Sequence, residues 1–280
     1  MKIGLDLGAS FTKVCIMNDD DMHFDVFPTR IDEIEKYFGN GFDYQNVVIT
    51  GGGALKFKEF FERAKFISTK VDELGSIARG VRKLLEFPAQ VHKFGAIRDI
   101  DCEYIVISMG TGVSFTHVKT DGTYKHVAGS ALGGGTLMGL SKLILGISSF
   151  DELMSLASSG DSSNLDLLVS DIYGQDYGST LKSNVVASSM AKIALCDVEP
   201  KREDIAASLV STICYSIGGQ VAAVCASCQV ETCVFVGGFL SVDGIIPKSL
   251  AMAVNLFRPN VLMVFPENHR FVGAIGAATK

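Results

Sequence analysis

The chain has no excess of positive charge, no cysteine–histidine metal set and neither the GxxxxGK[ST] nor the GxGxxG pattern. It also lacks an unbroken apolar run long enough to span a bilayer. Each absence removes a class of function. With 25 Lys and Arg against 31 Asp and Glu, the net charge is −6 and the isoelectric point near 5.4, which argues against a general nucleic-acid binder. An anionic small ligand stays open, because the field of a pocket can oppose the net charge. The longest apolar stretches are broken by Ser, Gly or a charge, short of the roughly 18–20 residues that a spanning helix needs. Asp6 precedes any hydrophobic segment, so no signal peptide and no membrane association are expected.

Seven cysteines are an odd number, and most lie in apolar periodic segments. Cys225 and Cys228 form a lone CxxC, but that spacing inside a helix only places them on one face. No second CxxC or nearby His completes a zinc set. These thiols read as small buried hydrophobes in a reducing compartment, and the expected location is the cytoplasm.

What is present is a well-packed chain: 280 residues, 48% hydrophobic and 20% charged, with no linker or low-complexity segment. Strand patterns are predicted at Lys2–Leu7, 11–17, 22–27 and Val47–Thr50, with helices over Ile31–Phe38, 55–64 and 72–85. The segment 87–101, with Pro88, Gly95 and mixed charges, reads as a loop and domain boundary. Strand logic restarts at Tyr104–Met109, 113–119 and 124–127. The middle, 136–195, reads as helical with turns at its glycines. A long helix is predicted over 204–226, where Gly218 and Gly219 imply close approach of a helix or ligand. Strands at Thr232–Val236 and 261–265 and a helix at 271–278 close the chain. The class is α/β. The two parts read as weak copies of each other, each opening with strand, glycine turn and strand.

Four glycine turns follow apolar strands: 6–10, 50–53, 108–112 and 236–238. Gly lets backbone N–H groups approach an anion without a Cβ clash. Any one such turn is usually only a turn. Two in duplicated hairpins, with Ser10 and Lys13 on one and Thr111 and Ser114 on the other, point to phosphate binding. Asp6 ends the first strand; it can hold Mg²⁺ on a nucleotide, or more plainly cap its turn. Beside a phosphate-type hairpin the metal role is the favoured one.

Several stretches then resemble one family in order along the chain: GGGALKF at 51–57, VDEL at 71–74, Ser114, GSALGGGT at 129–136, GDS at 160–162, DIYG at 171–174, VASS at 186–189, VFVG at 234–237 and GAIG at 273–276. They look like type II (eukaryotic-type) pantothenate kinase, of the actin, sugar-kinase and heat-shock ATPase fold. The resemblance implies two duplicated RNase H-like lobes, 1–98 and 99–280, with an active-site cleft between them. It implies ATP and Mg²⁺ as cofactors and phosphorylation of pantothenate at its 4′-hydroxyl, the first committed step towards coenzyme A. Glu73 matches the carboxylate that takes the substrate proton, and Lys13 the phosphate-contacting lysine. Asp6, Gly8, Ser10, Gly110, Thr111, Gly112 and Gly237 match the nucleotide-binding turns, with Asp6 at the metal. Ser114, His126 and Gly129 fall at substrate positions. A homodimer is expected on the same ground, with acyl-coenzyme A as a feedback ligand.

This sequence departs from the family pattern at Ala9, at Ser108, and at His126, where the family carries Arg. A neutral imidazole does not reproduce a guanidinium fork. Two alternatives therefore stay beside the leading one. One is a same-fold kinase acting on another small hydroxylated substrate. The other is a nucleotide- or coenzyme A-binding regulatory subunit of low turnover.

Overall fold

The computed structural model describes residues 1–18, 21–39, 47–63, 72–178, 181–195, 197, 199–240 and 244–280. The first sheet holds β1 (Lys2–Leu7), β2 (Phe11–Asn18), β3 (Asp21–Pro28) and, after α1 (Ile31–Phe38), β4 (Val47–Thr50). Its order is β3-β2-β1-β4, an antiparallel meander with β4 added parallel to β1. Next come α2 (Gly53–Lys56), α3 (Lys58–Arg63) and α4 (Glu73–Leu85).

The second sheet takes β5 (Val91–Gly95), β6 (Tyr104–Met109), β7 (Val113–Val118) and β8 (Tyr124–Ser130). Helices α5 (Gly134–Leu145) and α6 (Phe150–Ser158) follow, then the short β9 (Leu167–Leu168), α7 (Val169–Tyr173), β10 (Val186–Ser188) and α8 (Ala191–Leu195). The chain finishes with α9 (Arg202–Cys228), β11 (Thr232–Val236), α10 (Ile245–Phe257), β12 (Leu262–Pro266) and α11 (Val272–Ala278). The order of the second sheet is β5-β12-β11-β6-β7-β8. The meander β6-β7-β8 with β11 parallel to β6 repeats the topology of β1-β2-β3 with β4, so the duplication seen in the hairpin motifs extends to both sheets.

Strands β11 and β12 are buried at every residue, as expected of parallel strands covered on both faces. On one face lie α5, α6, α9 and α10, closing over Ile105, Ile107, Phe115, Phe235 and Phe265. On the other face Val106, Val234, Val236 and Val264 meet α4, α11 and the β2 residues Cys15 and Met17. Helices α4 and α11 thus lie between the sheets. Their packing is close enough to require glycine: a Cβ on Gly276 would lie 1.7 Å from the Ser76 carbonyl oxygen, and one on Gly4 1.9 Å from that of Ala274.

Helix α9 is long and apolar enough to cross a membrane by length and composition alone. Here it packs against α5, α6 and α10, with Asp204, Ser208 and Ser211 among its buried residues. Asp204 accepts hydrogen bonds from the Asp161 N–H (2.8 Å) and Asn164 Nδ2 (3.0 Å). The GDS stretch is thereby tied to the start of this helix.

Several expectations need correction. The 87–101 loop contains β5, an antiparallel edge strand on β12. Its half-exposed VHKFG lacks an apolar run because a partner covers it on only one edge. The helix expected over 55–64 is broken at Phe57, whose backbone leaves helical geometry (φ −106°, ψ 20°); Ala64 lies outside the described residues. Phe57, Phe60 and Phe61 all pack with Ile3, Leu5, Leu7 and Ile34 in the core of the first sheet. The helical middle includes the small β9–β10 ladder. Helix α10 was not anticipated, although parallel β11 and β12 need a crossover of that length. Strand β5, within 1–98, joins the second sheet, while α11, within 99–280, packs on β1, β2 and β4.

Candidate active site

The first hairpin presents Asp6 and Lys13 directly opposite each other in the β1–β2 register. Lys13 Nζ donates to Asp6 Oδ2 at 3.3 Å, with both side chains largely covered. Glycines leave room for the carboxylate. A Cβ on Gly51 would lie 2.7 Å from Asp6 Oδ1, and one on Gly273 would lie 2.7 Å from Oδ2. Within the turn the Gly8 N–H donates to the Phe11 carbonyl (3.1 Å), and Ser10 is exposed.

Helix α4 begins beside this pair. Asp72 is its N-cap and accepts from the Gly75 N–H at 2.8 Å. Glu73 is the first helical residue, and Val71 of the VDEL stretch lies outside the described residues. The Glu73 carboxyl is held above its ordinary range, first by desolvation and then by the negative charge of Asp6. Lys13 opposes that shift and Asp72 adds to it. Glu73, Asp6 and Lys13 therefore form one electrostatic group, although they come from three elements, with α4 far from β1 and β2 in sequence.

In the second lobe, Ser108, Ser114 and Gly129 are paired in a row across β6, β7 and β8. The β7–β8 register shifts between Phe115 and Thr116, and His126 pairs with Thr116 just beyond that irregularity. His126 is exposed, and a Cβ on Gly129 would lie 3.8 Å from its Nε2. Tyr124, two residues earlier on β8, lies over Gly75 of α4. The substrate positions predicted on β7 and β8 are thus brought together, with β8 against the helix that carries Glu73.

The second hairpin turn is Gly110-Thr111-Gly112, closed by the Gly110 N–H on the Gly112 carbonyl at 2.9 Å. The glycine run that opens α5 grips it. Gly134 N–H donates to Gly110 O and Gly135 N–H to Thr111 O, both at 2.9 Å. A Cβ on Gly134 would come within 2.8 Å of Gly110 O, and one on Gly133 within 2.8 Å of Thr111 O. At the end of β11, Gly237 adopts φ 114°, and a Cβ there would lie 2.2 Å from Met109 O. His269 Nδ1 donates to the Gly237 carbonyl at 2.9 Å, and burial lowers the His269 pKa. Hairpin, glycine run and Gly237 turn form one connected unit.

Gly133, Gly134 and Gly135 stand out in the sequence only as part of a motif; their packing on the Gly110–Thr111–Gly112 turn explains why α5 opens on glycines. It missed Tyr124 altogether. Nothing local marks an exposed strand Tyr as a contact of α4.

Among the described residues, no group of three or more His, Cys, Asp or Glu could hold a metal by itself. Cys15, Cys214, Cys225 and Cys233 are buried, while Cys102 is exposed and Cys196 lies outside the described residues. Burial pushes the Cys15 and Cys214 thiols up to about 12, as expected of core residues.

Two repeated meander lobes around a central helix pair define the fold of actin-like ATPases and sugar kinases. The crystal structure of component A of (R)-2-hydroxyglutaryl-CoA dehydratase from Acidaminococcus fermentans matches with TM-score 0.61 at 17% identity, covering 99% of this chain and 95% of that one. A ROK family glucokinase from Streptomyces griseus, in complex with glucose and AMPPNP, matches with TM-score 0.59 at 12% identity, covering 99% and 98%.

The Fumble family model matches residues 13–280, and the chain belongs to that family, the pantothenate kinase family its motifs resemble. Arabidopsis thaliana pantothenate kinase 1 is 36% identical over 261 residues, 86% of this chain and 67% of that protein. Arabidopsis thaliana pantothenate kinase 2 is 33% identical, over 82% of this chain and 27% of its own length. The Mus musculus 4′-phosphopantetheine phosphatase is 34% identical, over 82% of this chain and 30% of its own length. The chain therefore spans about two thirds of the first of these relatives and less than a third of the other two.

Proposed function

We propose that this chain transfers the γ-phosphoryl group of ATP to the 4′-hydroxyl of pantothenate. The observation that carries the reading is that the paired charges of Asp6 and Lys13 both act on the Glu73 carboxyl at the start of α4. Family membership supplies the substrate. Glu73 takes the hydroxyl proton, the freed oxygen attacks the γ-phosphorus, and ADP leaves. A base with a raised pKa is better matched to this proton transfer near neutral pH than an ordinary carboxylate. Lys13 neutralises phosphate charge as it shifts in the transition state, and the glycine turns of both hairpins hold the phosphates with backbone N–H groups.

Asp6 suits Mg²⁺, which commonly takes one or two carboxylates and draws its remaining ligands from phosphates and water. Gly51 and Gly273 make room for that carboxylate, whose Oδ2 accepts from Lys13. When bound, the ion would screen the charge of the phosphates. Gly8 and Ser10 belong to the first phosphate turn in this reading, Gly110, Thr111 and Gly112 to the second, and Gly237 to the nucleoside side. Ser114, His126 and Gly129 line the acceptor side. Feedback by acyl-coenzyme A and a homodimer, which rest on the resemblance, and a cytoplasmic location, which rests on the reading of the cysteines, complete the proposal.

The test is ATP consumption by the purified chain with a panel of small hydroxylated acceptors, pantothenate among them. Turnover with pantothenate above all others is the expected result. Preference for a different acceptor would replace the substrate, and nucleotide binding without turnover would favour a regulatory subunit.

A further inference from the structure

Glu73 is the first residue of α4, so its direction depends on how the chain enters the helix. The entry is made at Asp72, whose backbone is still non-helical (φ −55°, ψ 133°) and whose Oδ2 accepts from the Gly75 N–H at 2.8 Å. That cap is local to α4. A second tie comes from the other sheet: the Tyr124 hydroxyl, at the start of β8, donates to the Asp72 carboxylate. The phenol is held above its ordinary range, first by desolvation, then by this bond and the Asp72 charge, with Arg79 opposing. Arg79 is itself fixed, Nε donating to the Gly276 carbonyl at 3.1 Å and Nη2 to Ser76 Oγ at 3.2 Å.

Three features set this contact apart from core packing. Tyr124 is 40% exposed, so its ring fills no core position. Gly75 lies directly against it: a Cβ there would be 2.5 Å from the hydroxyl oxygen and 2.8 Å from Cζ. Glycine weakens a helix interior, and at Gly75 its missing Cβ is what lets the phenol reach the cap. The strand is held as well, because Tyr124 pairs with Val118 in the β7–β8 ladder. A hydroxyl on a fixed strand thus donates to the residue immediately before Glu73, and a bond to a carboxylate is among the stronger hydrogen bonds.

We propose that Tyr124 is a positioning residue: by holding Asp72 it fixes the first turn of α4 and aims the Glu73 carboxyl at the acceptor hydroxyl. This rests on the kinase reading above and deepens it. In this scheme Tyr124 contacts neither acceptor nor nucleotide and carries no proton; its effect passes through Asp72. A displacement of about 1 Å at a reacting group costs up to about a hundredfold in rate. The loss should therefore fall on kcat and spare binding.

The experiment measures kcat, acceptor KM and MgATP affinity on the wild type, Tyr124→Phe, Asp72→Ala and the double variant. The acceptor is pantothenate or whichever the wild type prefers, and the assay is run on the alkaline plateau, where Glu73 is deprotonated throughout. Tyr124→Phe should lower kcat about ten- to a hundredfold, with acceptor KM and nucleotide affinity within about threefold of wild type. The double variant should be no slower than Asp72→Ala alone, since both substitutions break one link. Asp72→Asn, which still caps the helix and can pair with the hydroxyl, should keep kcat within about threefold of wild type. An unchanged kcat in Tyr124→Phe, a loss confined to KM, or losses that multiply in the double variant would overturn the inference.

Amide hydrogen exchange reads the link without turnover. The Gly75 and Ser76 N–H groups both donate to Asp72, to Oδ2 and to the carbonyl oxygen, at 2.8 and 2.9 Å. In Tyr124→Phe they should exchange several-fold faster while the amides of β6 and β11 keep their wild-type rates. Unchanged exchange at residues 75 and 76 would also overturn the inference. If Asp72→Ala fails to fold, the kcat and exchange of Tyr124→Phe decide. A wild type that turns over no acceptor removes the kinase reading and the aiming role with it, while the exchange still shows whether Tyr124 holds the first turn.

Discussion

Asp6 and Lys13 face each other across the first hairpin in direct register, Nζ 3.3 Å from Oδ2. The contact joins a carboxylate to an ammonium, and the two charges bear on Glu73 in opposite senses. Small changes at the hairpin should therefore be felt in the proton affinity of a residue on another element.

Lys13→Ala should weaken MgATP far more than adenosine, because the ammonium addresses phosphate charge and not the base. Calorimetry with both ligands measures the difference. Equal losses for the two would mean that Lys13 supports the hairpin and does not meet the phosphates.

The raised pKa of Glu73 has a kinetic consequence. A general base works deprotonated, so kcat/KM should fall as pH drops through the Glu73 pKa, at a pH above that of an ordinary Glu. Lys13 lowers this pKa, so removing the ammonium should move the acid limb to higher pH. Glu73→Gln should abolish turnover and the limb together, while changing nucleotide affinity by less than about 1 kcal/mol. A pH–rate profile on wild type and Lys13→Ala, with turnover and nucleotide binding on Glu73→Gln, reads all three. An acid limb unmoved by loss of Lys13 would break the link between hairpin and base.

Much of this arrangement is legible in sequence where the signal is local. Asp72 before the LxxI periodicity marks the start of α4, and the apolar runs of β1, β4, β6 and β11 fix those strands. What escapes is set by tertiary partners. Strand β5 is amphipathic only in relation to β12, and α10 has its apolar face defined by α9. The grouping of Glu73 with Asp6 and Lys13 needs α4 to lie beside the first hairpin, which no spacing encodes. The resemblance supplied that grouping as roles; the packing supplies the reason.

The paired glycines of α9 imply close approach at both positions, and the structure separates them. A Cβ on Gly218 would lie 2.4 Å from the Ala253 Cβ of α10, whereas Gly219 has only Phe257 at 3.7 Å. Gly218→Ala should destabilise by about 1–3 kcal/mol through overpacking. Gly219→Ala should stabilise by up to about 1 kcal/mol, because Ala is the better helix former and nothing is displaced. Denaturant unfolding of the two variants reads the opposite signs. The same sign for both would mean that α9 and α10 are not packed this closely.

His126 is exposed on β8, with the Gly129 backbone close enough that a Cβ there would be 3.8 Å from Nε2. The family pattern has Arg at this place, and the proposed function puts His126 on the acceptor side. His126→Arg should then tighten pantothenate, with a single new charge-assisted bond worth about 1.5–3 kcal/mol, or one to two decades in KM. Wild type and His126→Arg, each assayed with pantothenate and pantothenol, read the gain. No gain with pantothenate would put His126 outside the pocket, as an exposed histidine of the strand.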